Sequence, residues 1–301
     1  MSASWTSQRE RGSALALQLV LWIALNLGRH VARLFLYPIT LYFFITAPAQ
    51  RHSSKHFLTQ VLGRPAGNVD VIRQIHCFAS TILDRVYLLA NKMEGLEICP
   101  HNQDVVISRM GRQGGAILLG AHLGSFEVLR SLARLKYQVP LKILMYPRHN
   151  EAITRILSDL NPDLHNTIIP MGQTDTLIRV ENDLSEGNLV GMLGDRITEN
   201  DKTTDCKFFG RDARFPEGPM RLASILKVPV VLFFGIYRGG NRYDIYFEEF
   251  AERIDVDRQH RDRDIQRWTQ RYVERIEWQT RQAPYNWFNF YDLWTKNDHA
   301  K

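Results

Sequence analysis

The chain has 301 residues, a formal charge of +6, and 45% hydrophobic, 11% aromatic and 23% charged residues. This ordinary globular composition excludes a disordered or collagen-like chain and a polytopic channel. The length suffices for one large domain or two small ones with a substantial core, so the candidate classes are a folded enzyme and a binding domain.

The positive charge is concentrated at the N-terminal end. Residues 1–60 hold six basic side chains and one acid, Glu10, and the rest of the chain is nearly neutral. A nucleic-acid-binding domain usually spreads a basic face over its folded surface, so this distribution does not favour a nucleic-acid partner. A basic and apolar end favours an anionic membrane surface instead. The basic side chains are Arg9, Arg11, Arg29, Arg33, Arg51 and Lys55.

The three cysteines, Cys77, Cys99 and Cys206, are far apart and include no Cys-x-x-Cys pair. This spacing fits neither a structural zinc site nor a disulfide framework, as is typical of a reducing compartment. The ten histidines include no His-Glu-x-x-His pattern. We therefore predict no metal site and expect the thiols to be small buried groups.

Two apolar runs, residues 14–27 and 34–45, are separated by a short stretch that contains Gly28 and basic side chains. As a helix the first run would be about 20 Å long, shorter than the ~30 Å hydrocarbon core, so it suits the membrane interface better than a full crossing. We expect residues 1–50 to form a membrane-associating segment and residues 51–301 to form the main domain. The alternative is that both runs are helices packed on that domain.

The remaining patterns predict an α/β domain with a mostly parallel central sheet flanked by helices. Residues 75–89 carry apolar side chains at helical spacing, and Asp84 and Arg85, off that stripe, are expected to form a solvated or interhelical pair. From Gly114 onwards short apolar runs alternate with amphipathic stretches. The predicted strands are residues 116–119, 141–145, 188–193, 228–234 and 243–247. The predicted helices are residues 125–136, 153–160, 174–185, 219–226 and 258–281, the last of them amphipathic.

A histidine and a glutamate follow the first predicted strand of this domain, in the sequence Gly120-Ala-His122-Leu-Gly-Ser-Phe-Glu127. A histidine at the carboxyl end of a strand faces the usual ligand crevice. If Glu127 accepts a hydrogen bond from one ring nitrogen, the other nitrogen is a base aimed into the crevice. Gly124 would let a substrate approach the backbone, and amides at the start of the helix would stabilise an oxyanion.

A second motif, Phe215-Pro-Glu-Gly-Pro-Met-Arg221, opens another predicted helix. Its proline lies near the first helical position, so free amides and Arg221 could hold a phosphate. The apolar block Val228-Pro-Val-Val follows as a buried strand.

In this order the motifs resemble the glycerolipid acyltransferase superfamily and, more specifically, the lipid A biosynthesis (lauroyl/myristoyl) acyltransferase family. The resemblance covers most of the chain, to about residue 290. It implies that His122 is the general base and Glu127 its orienting partner. The segments that carry it are His122-x4-Glu127, Gly194-Asp-Arg196, Phe208-Phe-Gly210, Phe215-Pro-Glu-Gly-Pro219, Val-Pro-Val-Val and Trp287-Phe.

The resemblance also implies that Arg148, Asp195 and Arg196 line the site and that Glu217 and Gly218 contact substrate. Each has a structural alternative: Arg196 could pair with Asp195 or Asp205, Glu217 could cap a helix, and Arg148 could be a solvated loop charge. The sequence leaves these alternatives open.

The implied reaction moves a fatty acyl chain from acyl carrier protein, or from coenzyme A, to a hydroxyl of a membrane lipid or glycolipid, with no cofactor. The implied location is the cytoplasmic side of a bacterial inner membrane. Residues 286–294 are more aromatic and less basic than expected for a protein that handles a strongly anionic lipid A precursor. The acceptor is therefore expected to be another lipid, such as a glycolipid or an aryl polyene-type headgroup.

Two other functions compete with acyl transfer. A serine hydrolase or thioesterase would use Ser125, which does not lie in a Gly-x-Ser-x-Gly elbow. A lipid-binding protein without turnover would explain the basic, apolar N-terminal end, but it gives no reason for the His122 and Glu127 pair.

Overall fold

The computed structural model describes residues 14–109, 115–137, 141–146, 166–198 and 201–294, and they form a mixed α/β fold. Arg148 and the predicted helix at 153–160 lie outside these residues. The described α-helices are α1 (Ala14–Leu34), α2 (Leu36–Thr46), α3 (Pro48–Leu62), α4 (Asn68–Leu89), α5 (Asp104–Ile107), α6 (Phe126–Leu132), α7 (Thr176–Ser185), α8 (Gly218–Leu226) and α9 (Arg261–Gln282). A π-helical turn, Ala133–Tyr137, extends α6, and a 3-10 turn, Pro284–Asn286, follows α9.

The described strands form a seven-stranded sheet and a separate hairpin. The strands are β1 (Glu97–His101), β2 (Ala116–Gly120), β3 (Leu141–Met145), β4 (Ile168–Pro170), β5 (Leu189–Leu193), β6 (Thr203–Phe208), β7 (Arg211–Pro216), β8 (Val230–Gly239) and β9 (Arg242–Ala251). The order in the large sheet is β1-β9-β8-β2-β5-β3-β4, and β6 pairs with β7 in the hairpin.

The predicted, mostly parallel sheet is confirmed. Pairs β2–β5, β2–β8, β3–β5, β3–β4 and β1–β9 are parallel, and only β8–β9 is antiparallel among the described pairs of this sheet. The sequence patterns missed β1, β4 and the hairpin. Strands β6 and β7 escaped because their exposed positions are charged, as in the run Arg211–Pro216, and a run of alternating polarity is a weaker signal than a buried one.

Both faces of the sheet are buried. Along β2, Ile117 and Leu119 belong to the cluster that includes Met220 of α8 and Ile265 of α9. Their neighbours Ala116 and Leu118 belong to the cluster on the opposite side, with α6. This two-sided burial explains why β2 reads as a continuous apolar run with no alternation.

Helix α1 is tied to the domain by a buried ion pair. Arg29 donates from Nε and Nη2 to the two carboxylate oxygens of Asp84 on α4 at 2.7 and 2.9 Å. Tyr243 of β9 donates to the same carboxylate at 2.8 Å. The expectation that Asp84 pairs with Arg85 is therefore wrong, because Asp84 faces α1 and β9 and is fully buried.

Helix α1 bends at Gly28, whose φ of +82° lies in the left-handed region that glycine tolerates. On both sides of the bend, α1 and α2 expose many large apolar side chains. No helix of the described chain combines the length and apolarity that a bilayer crossing needs. The exposed apolar side chains of these helices are Trp22, Leu27, Val31, Leu34, Tyr37, Leu41, Tyr42, Phe43 and Ile45, and Phe35 lies between the helices.

Candidate active site

His122 and Asp195 lie side by side beyond the carboxyl ends of two neighbouring parallel strands. Gly120, the last residue of β2, pairs in register with Leu193, the last residue of β5. In each case the chain continues for two residues beyond the end of the strand and then reaches the polar residue, His122 after β2 and Asp195 after β5. Since ligands bind beyond the carboxyl ends of parallel strands, this is where the fold favours a site.

The two side chains form a hydrogen-bonded pair. His122 Nδ1 lies 2.8 Å from Asp195 Oδ1, and the backbone N–H of His122 donates to Asp195 Oδ2 at 3.0 Å. A carboxylate can only accept, so Nδ1 carries the proton and Nε2 keeps its lone pair. The imidazole side chain is 27% exposed and the carboxylate is fully buried.

The electrostatics of the pair favour a neutral base beside an ionised acid. Burial lowers the pKa of His122, the positive charge of Arg196 lowers it further, and Asp195 offsets only part of this effect. Burial opposes ionisation of Asp195, but His122, Arg196 and Asn289 together hold its pKa below the ordinary value. At neutral pH the imidazole is therefore unprotonated at Nε2.

Arg196 turns away from the β5 end towards the C-terminal part of the chain. Its Nε donates to Asn289 Oδ1 at 2.7 Å and its Nη2 to the carbonyl oxygen of Phe288 at 3.1 Å. Burial lowers the pKa of Arg196, and Asp195 and Tyr291 oppose that effect. The predicted site residues His122, Asp195 and Arg196 are thus brought together in one cluster, in which Asp195 is buried and the other two are partly exposed.

Glu127 has partners other than the predicted one. Its carboxylate contacts Arg85 Nε on α4 at 3.2 Å and Arg130 one turn further along α6. The reason is the direction of α6, whose first turn directs Glu127 towards α4 instead of the end of β2. The orienting position beside His122 is occupied by Asp195.

Gly124 is required by the fold, which is a reason for glycine at this position besides the predicted substrate approach. Its φ is +78°, and a Cβ there would lie 2.0 Å from the carbonyl oxygen of Gly235 in β8. Two backbone amides just before α6 are also used by the fold, because Gly124 N–H donates to the carbonyl oxygen of Asn286 and Ser125 N–H to that of Gly235. Ser125 makes no hydrogen bond to His122 in this described loop.

The second predicted motif forms its own charge network. Glu217 precedes α8 and accepts from Arg221 at 2.6 Å, and Arg221 also pairs with Asp262 at 2.6 Å. Lys202 donates to Asp262 at 2.8 Å. Two cations therefore meet two carboxylates, so this network has no net charge of its own.

The motif still packs against the site, because the side chain of Pro219 lies close to the backbone of Gly194, the neighbour of Asp195. A Cβ on Gly194 would lie 2.9 Å from Pro219 of α8. Glu217 makes no side-chain cap bond to α8, and an added Cβ at Gly218 would meet nothing within 4 Å.

Within the described residues, no group of three or more His, Cys, Asp and Glu side chains could hold a metal ion.

The aromatic residues near the C-terminal end are core residues. Trp287 is fully buried and stacks on Phe57 of α3 with ring centroids 5.7 Å apart. Trp294 stacks on the same ring at 6.1 Å. The aromatic content of this segment therefore reflects packing and gives no information about the acceptor.

A protein-family model described as bacterial lipid A biosynthesis acyltransferase matches residues 10–296, nearly the whole chain. The chain belongs to this family. It is accordingly an acyltransferase, and the matched range includes His122, Asp195 and the C-terminal segment. No curated protein matches the chain.

Two site features escaped the sequence analysis. Asp195 was predicted to line the site, but its pairing with His122 was not, although parallel neighbouring strands would have indicated it. Asn289 was not predicted at all. Nothing local in the sequence marks Asn289, because it meets Asp195 across 94 residues of chain.

Proposed function

We propose that this family member is an O-acyltransferase that moves a fatty acyl chain from an acyl thioester to a hydroxyl of a membrane lipid or glycolipid. The donor would be acyl carrier protein or coenzyme A. The observation that carries the proposal is the 2.8 Å contact between His122 Nδ1 and Asp195 Oδ1 at the end of the sheet. The family supports acyl transfer in general.

The pair is suited to general-base catalysis. Asp195 fixes the tautomer in which Nδ1 carries the proton, so Nε2 is the free base. The low pKa of His122, caused first by burial and next by Arg196, keeps Nε2 unprotonated at neutral pH. A positioned base of this kind contributes about 10²–10⁴-fold to the rate.

In the proposed reaction the acceptor hydroxyl gives its proton to Nε2 as its oxygen attacks the thioester carbonyl. The tetrahedral intermediate collapses, the carbon–sulfur bond breaks, and the leaving sulfur takes the proton back from Nε2. Asp195 stays ionised and stabilises the imidazolium between the two steps. The products are an ester and a free thiol, and the base is regenerated.

We propose further that α1 and α2 bind the cytoplasmic face of a bacterial inner membrane. Their exposed side chains include Leu34 at 65%, Tyr37 at 66% and Ile45 at 62% exposed. Large exposed apolar surfaces of this kind are typical of interfacial anchors. Arg29 is excluded from contact with lipid headgroups, because its guanidinium is held by Asp84.

The test uses the full chain in lipid nanodiscs that contain bacterial membrane lipids. Labelled acyl groups are supplied on acyl carrier protein in one arm and on coenzyme A in the other, and lipid products are identified by mass spectrometry. We expect a labelled ester in one arm. In His122→Gln, ester formation should fall by about 10²-fold or more, since glutamine provides no base.

His101→Gln is the matched control, because His101 lies on the far edge strand β1 and stacks on Tyr246. It should retain ester formation. Normal turnover in a folded His122→Gln protein would contradict the base assignment. Release of free fatty acid without ester would identify a hydrolase, and bound lipid without either product would identify a binding protein.

A further inference from the structure

We propose that Asn289 is a positioning residue that holds Asp195 and Arg196 in place around His122. Its side-chain amide Nδ2 donates to Asp195 Oδ2 at 2.6 Å. Its Oδ1 accepts from Arg196 Nε at 2.7 Å. Asn289 is 1% exposed, so water does not compete for either bond. The proposal rests on the proposed function of His122.

The orientation of the amide is determined by its neighbours. Arg196 Nε–H can only donate, so the atom that faces it is the amide oxygen. An ionised carboxylate can only accept, so the atom that faces Asp195 is the amide nitrogen. Asn289 therefore links the cation and the anion without adding charge of its own.

The bonds to Asp195 divide between its two oxygens. Oδ1 accepts the ring Nδ1–H of His122, and Oδ2 accepts the backbone N–H of His122 together with Asn289. Without Asn289 the carboxylate could rotate about its Cβ–Cγ bond, and the ring bond would lose its fixed direction. A buried carboxylate is also costly when a donor is lost, because no solvent replaces it.

Asn289 is held at this place by a segment bonded at every residue, which we name the C-terminal strip (residues 285–289). Tyr285 donates to Asp70 at 2.8 Å, and Asn286 bonds the backbone of Tyr237 through both side-chain atoms. Trp287 accepts at its carbonyl oxygen from Gln74. Phe288 N–H donates at 2.8 Å to the carbonyl oxygen of His122 itself. The strip therefore runs directly along the loop that carries His122.

The experiment compares Asn289→Leu and Asn289→Asp with wild type. Histidine labelled with ¹⁵N is incorporated in the full chain in nanodiscs, and His122 is assigned by its loss in His122→Gln. The ring ¹⁵N shifts report the tautomer and the pKa of His122. Activity is measured as kcat and KM with whichever acyl donor supports ester formation.

Wild type should show His122 almost entirely with the proton on Nδ1. In Asn289→Leu we expect a mixture of tautomers and a kcat lower by about tenfold or more, with KM changed little, because the loss affects the base and not substrate binding. In Asn289→Asp an added carboxylate beside Asp195 should raise the pKa of His122 by about one unit. The acid limb of the pH–rate profile should move by the same amount.

Gln279→Glu is the matched control, since Gln279 of α9 is a buried amide outside the strip that donates to Glu248 and not to Asp195. It should lower the melting temperature but leave the tautomer and pKa of His122 unchanged. The proposal is overturned if folded Asn289→Leu keeps both the tautomer and kcat of wild type. Should Asn289→Leu fail to fold, an unchanged His122 pKa in Asn289→Asp overturns it equally.

The resonance measurements separate this proposal from the proposed function. If His122→Gln retains ester formation, the base assignment is wrong, whatever the spectra of the Asn289 variants show. If His122→Gln is inactive but neither Asn289 variant alters the ring, only the positioning role fails.

Discussion

The end of the sheet at β2 and β5 and the outer face of α1 and α2 depart in opposite ways from the usual distribution of side chains. At the sheet end, Asp195 and Asn289 are polar and buried. On the two helices, Leu34 and Ile45 are apolar and exposed. Burying a charge and exposing a large apolar patch both cost free energy, so each departure indicates a function.

The two departures are compensated differently. Asp195 is surrounded by hydrogen-bond donors, so the free-energy cost of burying its charge is offset inside the molecule. The apolar face of α1 and α2 has no such compensation among the described residues of the chain, and a lipid surface would supply it. The buried charge is therefore satisfied inside the molecule, while the exposed apolar face would be satisfied by the proposed contact with lipid.

The largest expected effect comes from removing the carboxylate that completes the sheet end. Asp195→Asn should lower kcat by about 10²–10⁴-fold, because an amide neither selects the Nδ1–H tautomer nor stabilises the imidazolium. Steady-state acyl transfer in nanodiscs measures this. Glu127→Gln is the control and should cost much less, since Glu127 contacts Arg85 and Arg130. An equal loss in a folded Glu127→Gln protein would return the orienting role to Glu127.

The next effect concerns the backbone that carries His122. Gly124→Ala should lower the free energy of unfolding by about 2–4 kcal/mol, because the new Cβ would meet the Gly235 carbonyl at 2.0 Å and φ is +78°. Denaturation followed by circular dichroism measures this. Gly218→Ala is the comparison, where the added Cβ meets nothing within 4 Å, and its stability should change by less than about 0.5 kcal/mol. Equal stabilities of the two variants would show that the close approach to β8 is not required.

A smaller effect tests the helical region. The double variant Leu34→Ser and Ile45→Ser should weaken partition into anionic vesicles by roughly tenfold to a hundredfold, because each side chain contributes about 0.7–1.4 kcal/mol when partly buried in lipid. Vesicle sedimentation gives the partition coefficient. The double variant Val69→Ser and Ile178→Ser removes apolar side chains with similar exposure outside α1 and α2. Equal losses in both double variants would exclude α1 and α2 as the specific anchor.

The smallest effect is a shift in pH dependence. A proton on Nε2 removes the base, so kcat/KM should fall with decreasing pH through the pKa of His122. Because burial and Arg196 lower that pKa, the inflection should lie below 6.5. Arg196→Met removes a positive charge and should move the inflection upwards, by less than about one unit. An inflection of wild type above 6.5 would contradict the described electrostatics.

The sequence was most informative where burial is complete. The strands β2, β3, β5 and β8 could be predicted because they are short continuous apolar runs, and the long helix α9 because its apolar residues recur at helical spacing. Edge strand β1 could not, since it contains Pro100 and is only partly buried. Strand β9 runs antiparallel to β8. This reversal depends on the short hairpin between the two strands more than on the spacing of apolar residues.

Within the candidate site, the residues that follow the strand ends could be predicted from the sequence, but the directions of the surrounding side chains could not. His122 and Asp195 follow apolar strands, so both could be placed near the crevice. The direction of Glu127 depends on how α6 rotates against α4, and a five-residue spacing does not specify that rotation. Asn289 depends on the route of the C-terminal strip across the sheet end, which only the packing of Trp287 and its neighbours determines.

The C-terminal strip has a consequence for how the protein is made. The ribosome completes α1 and α2 about 240 codons before it reaches residues 285–289. If α1 and α2 bind lipid as proposed, they are able to reach a bilayer while His122 and Asp195 still lack the support of Asn289. On the two proposals made above, acyl transfer would begin only after translation has passed Asn289, when α1 and α2 have already had time to bind lipid.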